Sequence, residues 1–306
     1  MTINAHLTEF FGKPVRDFKP GESFDLQAFA PRLSVDYDAY SEGVTWARRL
    51  EELLALPGAG DVTHLVAGSY EGHEGDMNAA MAIGPLVERR AALPKLEALF
   101  LGDITFEETE ISWIEPQDAE PILKAYSDLR AFGLRGRVSN FGAQSLPRLE
   151  RLILENTGLT KDNLAQILAF EAPALVDLEI WTGSENYGAD TSVEDLAPLL
   201  SGELFPKLNR LRLKDSEYAD EIAKAVVKSP IFSRLKTLDL SMGTLGDEGA
   251  AALLEALPGA NLKLLDLSHH YMSDAMMEKF AAFGPRVVMA DQQKEEDYGR
   301  YIAVAE

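Results

Sequence analysis

Leu235-Lys236-Thr237-Leu238-Asp239-Leu240 and, 27 residues on, Leu262-Lys263-Leu264-Leu265-Asp266-Leu267 spell one pattern, L-x-x-L-x-L. It recurs cleanly at Leu96-Leu99-Leu101, Leu149-Leu152-Leu154 and Leu208-Leu211-Leu213. With one substituted position it recurs at Leu129-Phe132-Leu134 and Leu175-Leu178-Ile180. Side chains alternate across a strand, so the last two leucines of each hexad share a face. One such unit cannot bury that face alone, and the units must stack. From first leucine to first leucine the spacings are 33, 20, 26, 33, 27 and 27 residues. Repeats of this kind run about 20–29 residues, so the spacings of 33 imply insertions and the 20 implies a unit without a full helix. Val62-x-x-Leu65-x-Ala67 and Leu33-x-Val35 read as degenerate early units, and Val287 with Met289 as a last strand.

Between the hexads the apolar period lengthens from 2 toward 3.6, which predicts helices. They fall at 45–56, 77–93, 118–129, 161–170, 193–200, 219–228, 247–257 and 274–283. Thr160, Ser192 and Ser273 stand where N-caps belong, and Gly259 and Gly284 where left-handed helix stops belong. Pro94, Pro147, Pro173 and Pro206 each precede a first leucine by two residues, ending a helix and feeding an extended strand. The expected fold is an α/β solenoid of parallel inner strands and outer helices, curved because a helix is wider than the strand spacing. This resembles the leucine-rich-repeat superfamily, in its helix-bearing, ribonuclease-inhibitor-like subclass, over about residues 60–290. It is also similar to a family of bacterial cytoplasmic leucine-rich-repeat proteins. One departure stands out. The asparagine that ends the motif in that superfamily is replaced by Ile104, Arg137, Thr157, Gly183, Ser216, Gly243 and His270. The expected organisation is a capping region at 1–60 continuous with the array, a solenoid at 61–290, and a tail or cap at 291–306.

The chain of 306 residues has 29 basic against 50 acidic residues, a formal charge of −21. So negative a surface opposes nucleic acid and anionic lipid. It serves solubility, or it attracts a basic protein partner. No run of about 18 apolar residues is present to span a membrane, and the start lacks a secretory pattern. With no cysteine, disulfides, thiolate metal sites and cysteine nucleophiles are all excluded. A cytoplasmic location is expected.

If the leucines face the core, the residues between them face the concave surface in three rows. The first reads His64, Ala98, Ala131, Arg151, Asp177, Arg210, Thr237, Leu264. The second reads Val66, Phe100, Gly133, Ile153, Glu179, Arg212, Asp239, Asp266. The third reads Gly68, Gly102, Arg135, Glu155, Trp181, Lys214, Ser241, Ser268. Charges alternate along the later units and either pair across strands or form a polar docking surface. Asp239 beside Asp266 is the exception, a carboxylate pair exposed to solvent or open to a cation or a partner's arginine. The early units are small and apolar there. The aromatic segment 10–18 is expected either to cover that patch or to cap the first strand. Insertions at 69–76, 103–116 and 181–191 carry Tyr70, His73, Trp113, Trp181 and Tyr187 toward one rim, with His269, His270 and Tyr271. These aromatics are interface anchors or pack the insertions down. Tyr301, Ile302 and Val304 either dock as a cap or belong to a free end.

No nucleophile elbow, phosphate-binding loop or metal-ligand spacing stands out. His73-Glu74-Gly75-Asp76 carries metal-capable groups in a common acidic loop context. The expectation is therefore a non-enzymatic protein-binding scaffold without cofactor or metal, its oligomeric state open. The alternative is an accessory subunit that binds a small molecule or modified peptide beside an enzyme, through a pocket near Phe100 and Trp113. Candidate partner-binding residues are Phe100, Trp113, Arg135, Ile153, Glu155, Glu179, Trp181, Tyr187, Arg210, Arg212, Asp239, Asp266, His269 and Tyr271.

Overall fold

A computed structural model describes residues 3–70, 77–115, 117–295, 297 and 299–304. His73 with its acidic loop, and Pro116, lie outside the described residues. The chain divides into two compact units, Ile3–Glu155 with Ala169–Ala172, and Asn156–Leu168 with Pro173–Ala305.

The first unit opens with a hairpin of β1 (Glu9–Phe10) and β2 (Lys13–Asp17). Its two-residue turn, Phe11-Gly12, has both φ angles positive (+49° and +81°), the backbone that tight hairpins require. From β2 the strands run parallel. β3 (Ala30–Leu33), β4 (His64–Ala67) and β5 (Ala98–Leu101) are followed by β7 (Ala131–Arg135) and β9 (Arg151–Glu155). β6 (Gln117–Asp118) and β8 (Val138–Asn140) form a separate parallel pair. Helices α1 (Tyr37–Ser41), α2 (Trp46–Leu54), α3 (Ala80–Glu88) and α4 (Glu120–Ala125) connect them. In α2, Trp46, Leu50 and Leu53 recur on one face and are buried, and the Thr45 hydroxyl caps the first turn by accepting from the Arg48 N–H at 3.2 Å. The predicted helix at 118–129 ends early. Tyr126 leaves the helical region and donates its hydroxyl to the Leu86 carbonyl at 2.8 Å.

The second unit stacks β10 (Asp177–Gly183), β11 (Arg210–Ser216), β12 (Thr237–Asp239), β13 (Leu264–Asp266) and β14 (Val287–Val288) in parallel. Its helices are α5 (Lys161–Leu168), α6 (Ala197–Leu200), α7 (Ala219–Lys228), α8 (Asp247–Ala256) and α9 (Asp274–Ala281). Thr160 and Ser273 accept from the N–H groups of Asn163 and Met276, as N-caps do. Asp195 accepts from both the N–H and the hydroxyl of Ser192. Gly284 has the left-handed φ of +59°. Gly259 does not. It closes a 3-10 turn, Leu257–Gly259, so that expected stop is corrected. Pro258 at the start of that turn tightens the chain without a left-handed residue.

The hexad leucines form the core. Leu65, Leu99, Leu152, Leu178, Leu211, Leu238 and Leu265 are all wholly buried, each worth about 1.5–3 kcal/mol relative to exposure. Other groups stand in for the missing asparagine. Thr244 donates its hydroxyl to the Glu217 carbonyl at 2.8 Å, and His270 Nδ1 accepts from the Met272 N–H at 3.1 Å. Among the described residues, no helix is long and apolar enough to cross a membrane.

Candidate partner-binding faces

The strand registers pair the residues between the leucines as the sequence rows align them. In the second unit Asp177 stands beside Arg210, Glu179 beside Arg212, Trp181 beside Lys214, and Arg212 beside Asp239 beside Asp266. The charges interlock. Arg212 pairs closely with Asp177 and lies within 4.0 Å of Glu179 and Asp239, while Lys214 reaches Glu179 at 3.3 Å. Burial opposes ionisation of Glu179. Lys214, the Trp181 indole N–H at 3.0 Å and Arg212 outweigh it and hold its carboxyl below the usual range. Asp239 goes the other way. Burial pushes it up, with Asp266 adding to the rise against Lys214 and Ser241. Trp181 is buried under the Lys214 ammonium, 5.2 Å from its ring centre, so it packs down rather than projecting. Arg210, with a side chain 53% exposed, and Leu264, at 36%, remain presented to solvent on this face.

The corresponding face of the first unit is closed. Phe10, only 2% exposed, enters an apolar cluster with Val66, Ala98, Phe100, Ala131 and Ile153. It meets Phe100 edge to face at 5.5 Å. Gly133 makes room, because a Cβ there would stand 2.1 Å from the Phe100 ring. Leu7, Phe11 and Val15 pack against the same cluster. The segment both covers the patch and adds β2 beside β3. Phe100 and Ile153 are thus sealed beneath the chain's own residues instead of being offered to a partner. The pocket that a small-molecule subunit would need at Phe100 is filled by Phe10.

Arg135 and Glu155 are likewise interior. Arg135 donates to Glu155 at 2.6 Å and to the Ile104 carbonyl at 2.5 Å, and lies 3.7 Å from Asp103. Asp103, wholly buried, is the hub that sequence reading missed. Its carboxylate accepts from the Leu7 N–H at 3.1 Å, stands 3.6 Å from Arg32 and 3.7 Å from His6. Nothing local distinguishes it among fifty acidic residues, since its partners come from 32 to 97 positions away.

At the strand ends the aromatics divide. Tyr70 is buried, Tyr187 half-buried and Trp113 53% exposed. His269 and Tyr271 are engaged by the chain's own last described residues. The Tyr271 hydroxyl donates to the Tyr301 carbonyl at 2.9 Å and accepts from its N–H at 2.8 Å. His269 Nε2 lies 3.2 Å from the same carbonyl. Ala303 donates to the Met242 carbonyl at 2.8 Å and Val304 to Asp215 Oδ1 at 2.9 Å. Ile302, Ala303 and Val304 are buried while Tyr301 is 49% exposed. Burial pushes Asp215 up to about 8 against the pull of the Val304 N–H.

Hexad spacing, in-register parallel strands and connecting helices define a leucine-rich-repeat solenoid. No protein-family model and no curated protein sequence matches the chain. Among solved structures, a structural-genomics target from Bacteroides fragilis matches with a TM-score of 0.81 at 29% identity, covering 90% of this chain and 77% of that one. An internalin from Listeria monocytogenes matches at a TM-score of 0.41 and 17% identity, over 80% of this chain and 58% of that one. TLR13, solved in complex with ssRNA13, matches at 0.43 and 15%, over 89% and 37%.

Proposed function

We propose that this chain is a non-enzymatic protein-binding scaffold, and that the polar strand face of its second unit is where a partner docks. One observation carries the reading. The equivalent apolar face of the first unit is closed by residues 7–11, whereas the second unit leaves Arg210 and Leu264 open beside a fixed lattice of charges. Ion pairs already satisfied within a face steer a partner and fix its register more than they add affinity. Exposed Arg210 and Leu264 supply the contacts still available. The test is affinity capture from native extract by the full chain, compared with Arg210→Glu combined with Leu264→Asp. A helix-face control, Lys228→Glu, accompanies it. Capture lost only by the face variant is expected. Equal capture by both variants and the unmodified chain overturns the reading.

A further inference from the structure

The last described residues lie in a built slot rather than merely against the surface. The Arg300 guanidinium places Nη1 3.3 Å from Asp220 Oδ2 and 3.3 Å from the Thr244 carbonyl. It stands 5.7 Å from the Tyr271 ring centre. Residue 246 is glycine, and a Cβ there would stand 2.2 Å from Nη1, so the guanidinium end would have to move aside. Asp220 is fixed from behind, its other oxygen accepting from the Gly246 and Gly249 N–H groups at 2.8 and 2.9 Å. Beyond the arginine the chain is held by its backbone. Tyr271 grips both the N–H and the carbonyl of residue 301, and the N–H groups of 303 and 304 find Met242 and Asp215. Main-chain hydrogen bonds combined with side-chain pockets at alternate positions are how extended peptides are read. Here Ile302 and Val304 are buried, Ala303 is packed close, Arg300 is half-buried and also pairs with Glu295 at 3.1 Å, and Tyr301 faces outward.

We infer that residues 299–304 are an intramolecular ligand occupying a peptide-binding site. The partner that fits this site is an extended segment of the form Arg-x-aliphatic-small-aliphatic. This rests on the scaffold reading and extends it to the strand ends, naming the partner's chemistry. A planar guanidinium meets a carboxylate, a carbonyl and an aromatic face together, a combination an ammonium matches poorly. The chain's own copy is tethered, and tethering gives an effective concentration on the order of millimolar. A partner segment must therefore compete with it.

The probe is a dye-labelled peptide of the sequence GRYIAV, titrated by anisotropy into the full chain and into the variant Ile302→Asp with Val304→Asp. The variant's own segment cannot re-seat. At least tenfold tighter binding by the variant is expected, with Tyr301→Ser in the peptide neutral and Arg300→Lys at least tenfold weaker. Adding Tyr271→Phe to the variant, which removes both hydrogen bonds to residue 301, should weaken binding at least tenfold. Equal binding by chain and variant, or none by a variant that keeps its native circular dichroism, overturns the inference. So does indifference to the lysine peptide. Should the double variant fail to fold, Tyr271→Phe in the otherwise unchanged chain decides, because it removes both hydrogen bonds to residue 301. Amide exchange at 301–304 should rise at least tenfold with α8 and α9 unaffected, and unchanged exchange refutes the slot. Arg210→Glu lies outside the slot. Failure of the peptide while capture still depends on Arg210 overturns this inference alone.

Discussion

Truncating Phe10 to alanine tests the closed face of the first unit most directly. The ring is 2% exposed and sits among Val66, Ala98, Phe100, Ala131 and Ile153. Removing a buried phenylalanine side chain costs about 3–5 kcal/mol, and the edge-to-face pair with Phe100 at 5.5 Å contributes about 0.5–1.5 kcal/mol beyond burial. Part returns because a surface segment settles into the vacancy more easily than a core strand does. A loss of about 3 kcal/mol is expected in urea unfolding followed by circular dichroism. The patch beneath should then bind a hydrophobic dye in the folded state. Phe11→Ala is the control. Its ring is half-buried at the edge of that cluster and meets the Arg130 guanidinium at 5.2 Å, so a smaller loss of about 1 kcal/mol is expected. A Phe10→Ala loss below about 1 kcal/mol with no dye binding would refute the claim that this segment closes the face.

Arg135→Ala should cost about 3 kcal/mol, because Glu155 and Asp103 would lose the buried cation that both face. Thermal unfolding measures this, and a near-neutral result would return Arg135 to the surface. His64 gives a pH signature. Burial pulls it below its ordinary 6.5, aided by Lys13 and Arg130 and outweighing Glu97 and the Phe11 carbonyl that accepts from its Nε2 at 3.2 Å. The unfolded state then binds the proton more readily, so this stability is complete above 6.5 and declines as pH falls through it. His64→Gln should flatten the dependence of unfolding free energy on pH between about 7 and 5, and an unchanged slope would contradict it.

The strand face was legible in the sequence to the residue. Asp177 beside Arg210 and Glu179 beside Arg212 follow from leucine spacing alone, because a period of two leaves no freedom once the core side is known. Availability was not legible. Phe100 and Ile153 occupy rows that face away from the leucines, yet both are buried by a residue about ninety or more positions earlier. Trp181 has an anchor's chemistry, but Glu179 and Lys214 hold it in place. The arginine slot left one faint trace, the alternating Arg300, Ile302 and Val304. Its carboxylate, Asp220, and its glycine, Gly246, lie in other repeats and carry no mark of their purpose.

Stacked repeats ordinarily gain stability from neighbour to neighbour, so one unit at an end can open while the rest persists. Phe10 alters that for the first unit, because its cluster draws on β4, β5, β7 and β9 together. No single repeat among them can fray without unseating the ring the others share. The seat also completes itself late. The segment leaves the ribosome before the strands it covers, and Ile153 follows Phe10 by 143 residues, so the nascent face waits incomplete until β9 arrives.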